Sequence, residues 1–249
     1  AEGVIESVND ALPFYESAAS PDPRWPTLRK YRGLAYERIL SVGGVVDEPQ
    51  RETARADLEA ALAADPSDAL AAAGLIRWDV HLAGQEAARG RLVDASDLLA
   101  RAAQTGRTFL ENNPGEPRVA LHVASVEHEI ARLERTSDLF GDALVQAAQD
   151  LRDEYGPRLD TVLEQMQSVD PMTLDLTLVS RFQQIERSID PAGRSARSAQ
   201  LVDHLLASRG DDASLLTLGS RLFEQRGEYE RARELLVRIT EEPDRPVSF

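Results

Sequence analysis

The sequence contains no cysteine, which removes disulfide frameworks, thiol nucleophiles and every zinc site built on sulfur ligands. Lysine occurs once, at Lys30, so nearly all positive charge is arginine, as expected of a GC-rich bacterial genome rather than of a functional choice. Aromatic residues supply only 5% of the chain. No apolar run approaches the roughly 20 residues that a membrane-spanning helix needs, so a membrane-embedded protein is not expected. Basic residues are outnumbered: 28 Lys and Arg face 43 Asp and Glu, giving a net charge of −15 and a pI near 4.7. Neutralising phosphates needs a basic face, so a general nucleic-acid binder is excluded as well.

What remains is a chain of 249 residues, 42% hydrophobic and 29% charged, apolar enough to fold and long enough to bury a sizeable core without staples. Alanine and leucine abound, and these are helix formers, whereas strands want β-branched and aromatic residues. The chain starts at Ala1 without methionine and shows no signal-peptide pattern. It reads as a processed form, or as part of a longer chain or a larger assembly. The compartment stays open, the cytoplasm being slightly favoured over a periplasmic or exported location.

Apolar spacing is helical almost everywhere. Ala54, Leu58, Ala61 and Leu62 fall on one face of a helix that starts near Glu48, behind a capping Asp47, and stops before Asp65-Pro66. The same punctuation returns at Asn113-Pro114, Asp170-Pro171 and Asp190-Pro191, where each pair is expected to end one helix and cap the next. Between these points the spacing predicts helices over Ala69–Leu82, Leu92–Leu110, Pro117–Leu133, Ser137–Tyr155, Leu174–Ile189, Ala196–Ala207, Ala213–Gln225 and Tyr229–Thr240. Gly43-Gly44 followed by Val45-Val46 is the nearest approach to a turn and strand, and a loop between helices explains it equally. Val4, Ile5, Val8, Leu12 and Phe14 look like a helix that wants a neighbour, interrupted by Pro13.

The chain also echoes itself. Thr177-Leu178-Val179-Ser180-Arg181-Phe182 returns forty positions later as Thr217-Leu218-Gly219-Ser220-Arg221-Leu222, and paired leucines follow at Leu205-Leu206 and Leu235-Leu236. Together with the punctuation, this predicts a stacked array of helical hairpins in which no hairpin buries its apolar face alone. The expected fold is an all-α superhelix of about 9–11 helices. It forms one domain over 1–249, with approximate units 25–66, 67–113, 114–157, 171–208 and 211–242 and a partial or capping helix over 1–20.

At this point the residues resemble the tetratricopeptide repeat family. One unit carries Leu215, Leu218, Gly219 and Leu222 on a first helix, Gly227 and Tyr229 at the turn, then Ala232, Leu236 and Ile239 on the second helix, with Pro243 behind it. A second carries Ala54, Leu58, Ala61-Leu62 and Asp65-Pro66, preceded by Gly33 and Tyr36 at the spacing of the family's first-helix glycine and aromatic. In the middle of the chain Leu75 and Val123 stand where the first-helix leucine belongs. There Ile76 and Ala124 replace the glycine, and Asp79 and Glu127 replace the aromatic. Small residues at helix crossings let backbones approach while large ones fill the neighbouring grooves.

Catalytic signatures are missing. His81, His122, His128 and His204 are the only histidines, and no pair has the four-residue spacing around a glutamate that a zinc-protease helix requires. Glu127-His128-Glu129 is read as a solvated helix face. No serine sits in a glycine-flanked nucleophile turn and no phosphate-cradling loop with its lysine exists, so no cofactor and no metal are expected. Paired acids such as Asp57/Glu59 or Asp94/Asp97 carry little information in a chain with 43 of them. What remains is a non-catalytic scaffold that binds a peptide or protein segment. The resemblance implies a concave groove lined by the first helices, and the side chains facing it would be Lys30, Arg38, Arg77, His81, Arg118, Ser125, His128 and Ser220. Cations gathered there could hold a carboxylate or an acidic peptide against a repelling background. Two other readings stand beside it, an all-helical enzyme or the regulatory arm of one, and a structural protein that stacks on copies of itself.

Overall fold

In the computed structural model the described residues are 2–16, 25–42, 44–136, 139–191 and 195–240. Among them the protein is all-α, with eleven helices packed as sequential hairpins and no strand. The chain divides into two compact units, residues 1–130 and 131–249.

The first unit contains α1 (Glu2–Glu16), α2 (Trp25–Ser41), α3 (Glu48–Ala64), α4 (Ala69–Ala88), α5 (Leu92–Asn112) and most of α6 (Pro117–Thr136). α2 packs on α3 and α4 on α5, and α2 also touches α4, which is how stacked hairpins meet. α3 begins and ends where its sequence requires. The Asp47 carboxylate accepts from the Gln50 amide at 2.9 Å while the Gln50 side chain accepts from the Asp47 amide at 3.0 Å, a reciprocal cap with Pro49 in the first turn. Pro13 lies inside α1, and Ile5 from that helix is buried with Ala35, Tyr36, Leu40, Val46, Ala54 and Trp78. The segment after α2 is a loop without a strand, and Val46 is its buried anchor.

Glycines mark the crossings. A Cβ on Gly33 would stand 2.7 Å from Leu58 Cγ and 2.9 Å from the Ala54 carbonyl oxygen, so α2 and α3 approach at the glycine and aromatic spacing seen in the sequence. Farther on, the close approach comes at Gly74, which a Cβ would bring to 2.8 Å from Leu34 Cδ2, two positions before the expected Ile76. On α5 a Cβ at Gly106 would lie 2.2 Å from Val123 Cγ2 of α6.

The second unit contains the end of α6 and then α7 (Asp142–Ser168), α8 (Leu176–Ile189), α9 (Ala196–Ser208), α10 (Ala213–Arg226) and α11 (Tyr229–Thr240). α8 packs on α9 and α10 on α11, while α7 reaches α9 and α8 reaches α10. The two echoed hexapeptides lie on the first helices α8 and α10, and their equivalent residues Val179 and Gly219, then Phe182 and Leu222, are all buried. The α10–α11 turn carries the expected glycine: Gly227 has φ 82°, a left-handed cap that favours glycine.

Two local expectations need correction. The sequence places a break near Tyr155-Gly156-Pro157, yet α7 runs through it for 27 residues. Proline costs a helix one hydrogen bond. Here Tyr155, Gly156, Leu159, Val162 and Leu163 are buried on either side, and packing outweighs that loss. The Asp-Pro and Asn-Pro pairs close helices but do not cap the next one. Asp65, Asn113 and Asp190 are C-caps, whereas a separate acid caps the following helix: Asp68 for α4 and Asp175 for α8. Gly43, Ser137 and Pro243 lie outside the described residues, as do the side chains of Val4, Val8, Leu12 and Phe14.

Candidate functional site

The first unit brings several of the expected groove residues to one place. Glu37 of α2 is buried, and from α4 Arg77 donates to it at 3.1 Å while His81 Nε2 lies 3.1 Å from its other oxygen. Arg77 also reaches to 3.4 Å from His122 Nε2 on α6, so one polar chain links three successive first helices. Burial pushes the Glu37 carboxyl up, but the His81 hydrogen bond and the Arg77 charge outweigh it and hold the group at about 2. Glu37 and His122 are functional candidates that the sequence reading passed over.

The remaining positions make other contacts. Lys30 donates to Asp68 at 2.7 Å, and Asp68 simultaneously caps α4 through the Leu70 and Ala71 amides. Arg38 is exposed, and its guanidinium touches only the Ser41 hydroxyl at 3.4 Å among the described residues. On α6 Arg118 and Ser125 are half-buried and His128 is buried. Ser220 lies in the second unit, buried, with its hydroxyl donating to the Thr217 carbonyl of its own helix at 2.9 Å.

Opposite this face of α4 the geometry is different. Asp79 lies two residues from both Arg77 and His81, a rotation of about 200°, so it points to the other side of the helix. It is buried and accepts from Arg55 of α3 at 2.7 Å and from Arg101 of α5 at 2.7 and 2.8 Å. The acid standing at the aromatic position of the repeat is therefore a clamp between two second helices. Asp57 serves the same purpose between α2 and α3, receiving Arg29 at 2.8 Å and Arg32 at 2.5 Å. In the second unit Glu186 of α8 accepts from the Arg197 and Ser198 amides at 2.8 and 2.9 Å, which caps α9 from a neighbouring helix. Acids embedded in apolar stripes were the available sequence signal for all three.

Above Asp79, α3 and α5 leave an open groove floored by α4. Its lower half is a cavity of about 490 Å3 lined by Leu62, Ala63, Leu75 and Phe109, with Arg55, Arg101 and Thr108 on the walls. Its upper half, about 410 Å3, runs over Trp78 and Leu82 between Glu48 of α3 and Asp94 of α5. Among the described residues no cluster of three or more His, Asp or Glu is placed to hold a metal ion, and no helix is long and apolar enough to cross a membrane.

No protein-family profile matches the chain, and no curated protein does. Among solved structures it is similar to MamA of AMB-1 at 17% identity, over 91% of this chain and 96% of that one, with a TM-score of 0.34. It is also similar to a mutant form of MamA at 16% identity, over 87% of this chain and 96% of that one, with a TM-score of 0.33. The fold assignment rests on the helices and their packing: hairpin follows hairpin in each unit.

Proposed function

We propose that this protein is a non-catalytic interaction scaffold of the tetratricopeptide kind, which holds a peptide or protein segment against the face formed by its first helices. One observation carries the reading: Arg77 and His81 of α4 gather with Glu37 of α2 and His122 of α6, so three consecutive first helices share a side rich in donors. Arg38, which follows Glu37 on α2, is exposed, and Arg118 and Ser125 lie on α6 with His122. In a chain of net charge −15, such a side favours a segment that brings carboxylates. The buried acids support the non-catalytic part, because each is held by cations or amides of a neighbouring helix and serves packing. No cofactor enters this reading.

The test is selection from a random peptide display library followed by calorimetric titration of the winners. Acidic or C-terminal carboxylate peptides should dominate, and Arg38→Glu should weaken them at least about tenfold with the melting temperature unchanged. Failure to select any peptide, or selected peptides indifferent to Arg38→Glu and Arg118→Glu, would overturn it.

A further inference from the structure

The polar chain of Glu37, Arg77, His81 and His122 holds two histidines that answer differently to a proton. A carboxylate only accepts, so His81 donates Nε2–H to Glu37 across 3.1 Å, and it does so whether its ring is neutral or protonated. Protonation at Nδ1 therefore adds a charge and keeps the contact. A guanidinium only donates, so His122 Nε2 accepts from Arg77 at 3.4 Å, which requires the neutral ring. Adding a proton to His122 would break that bond and set two donors against each other. Of the two rings, His81 is the one that takes up charge without losing its partner. Exposure agrees: its side chain is 27% exposed against 7% for Glu37, so the imidazole is the part of this pair that an arriving segment can reach.

The fixed charges around His81 are already balanced. Glu37 and Arg77 cancel, and Glu37 is the one charged side chain bonded to His81 among the described residues. From α3, Arg51 is engaged by the Val46 carbonyl and by Gln85, one turn beyond His81. Arg55 of α3 and Arg101 of α5 hold Asp79 on the other side of α4. With both rings neutral the cluster carries no net charge, and a proton on His81 gives it a full positive one. Building on the peptide-binding reading, we propose that His81 is a proton-operated switch of that face, so that mildly acidic pH tightens its hold on a segment bearing carboxylates. The sign follows from linkage. A ligand carboxylate favours the charged ring, so binding takes up protons and affinity rises as pH falls through the range where histidines gain charge. Glu37, held at about 2, stays ionised throughout and contributes a constant charge.

The test is calorimetric titration of an acidic peptide from the display library at about pH 8 and about pH 5.5, where its aspartates and C-terminus stay ionised. The wild type should bind about three- to tenfold tighter at the acid pH, with proton uptake seen as a dependence of the heat on the buffer. His81→Gln keeps a neutral donor toward Glu37 and should bind with nearly the same affinity at both pH values. His81→Lys fixes the charge and should bind at the alkaline pH as the wild type does at the acid one. His204→Gln, in the second unit, should leave the tightening intact, which separates a local switch from the general loss of negative charge. Equal wild-type affinity at the two pH values, tightening that survives in His81→Gln or His81→Lys, or tightening lost in His204→Gln would overturn the switch and leave the binding face standing. Failure to select any peptide at either pH would overturn both.

Discussion

Replacing both arginines that hold Asp79 should destabilise the first unit by more than the two single replacements together. Asp79 is 1% exposed and takes three hydrogen bonds from two guanidiniums. With Arg55→Met or Arg101→Met alone, one guanidinium stays on the carboxylate, and the cost is that of lost charge-assisted bonds, about 1–2 kcal/mol. With both gone, a buried carboxylate is stranded, which costs about 3–5 kcal/mol beyond an intact pair. The double variant should thus exceed the sum of the singles by about 1 kcal/mol, a coupling typical of groups sharing one partner. Asp79→Ala should be milder, about 2 kcal/mol, because Arg55 and Arg101 are 27% and 45% exposed and can turn to water. Urea unfolding followed by tryptophan fluorescence reads this unit alone, since Trp25 and Trp78 are the two tryptophans and both lie in it. Additive arginine effects, or a neutral Asp79→Ala, would refute the clamp.

Other consequences can be checked with the same denaturation assay. Glu37, held at about 2 against an ordinary 4.5, contributes stability that is complete above pH 4.5 and drains away as pH falls toward 2, about 3 kcal/mol in all; Glu37→Gln should flatten that acid limb of the urea midpoint against pH. Gly33→Ala should cost about 1–3 kcal/mol, since the added methyl meets Leu58 and a backbone carbonyl, whereas Gly84→Ala in open space on α4 should stabilise by about 0.5–1 kcal/mol. Pro157→Ala should stabilise α7 by about 1–3 kcal/mol, measured as a rise in the second unit's melting temperature, because it restores a bond inside a continuous helix.

Local signals were the legible part. The Asp47–Gln50 reciprocal cap and the Asp65-Pro66 stop bound α3 between Glu48 and Ala64 because both act within one turn of the residues that carry them. Gly33 and Gly219 could be read as crossings because apolar residues surround them at helical spacing, and a Cβ at Gly219 would indeed lie 2.9 Å from Leu235 Cδ1. Illegible features depend on partners distant in sequence. Nothing near Glu186 says that it caps a helix ten residues later, and nothing near Asp79 names Arg55 and Arg101. Pro157 misled because its local cost is real and the burial that offsets it is tertiary. For the candidate site, the resemblance to the tetratricopeptide repeat pointed to Arg77 and His81, but their acceptor Glu37 is forty or more residues away and became visible only once α2 and α4 packed. The α3–α5 groove is a gap between elements and leaves no mark in the sequence.

Amide hydrogen exchange read by mass spectrometry tests the hairpin architecture most directly. Slow exchange should fill α2 through α11, with fast-exchanging connections at 113–116, 170–174 and 209–212 and continuous protection across residues 150–166 of α7. An exchange break at Gly156-Pro157, or helices without protection on either side of those connections, would contradict it.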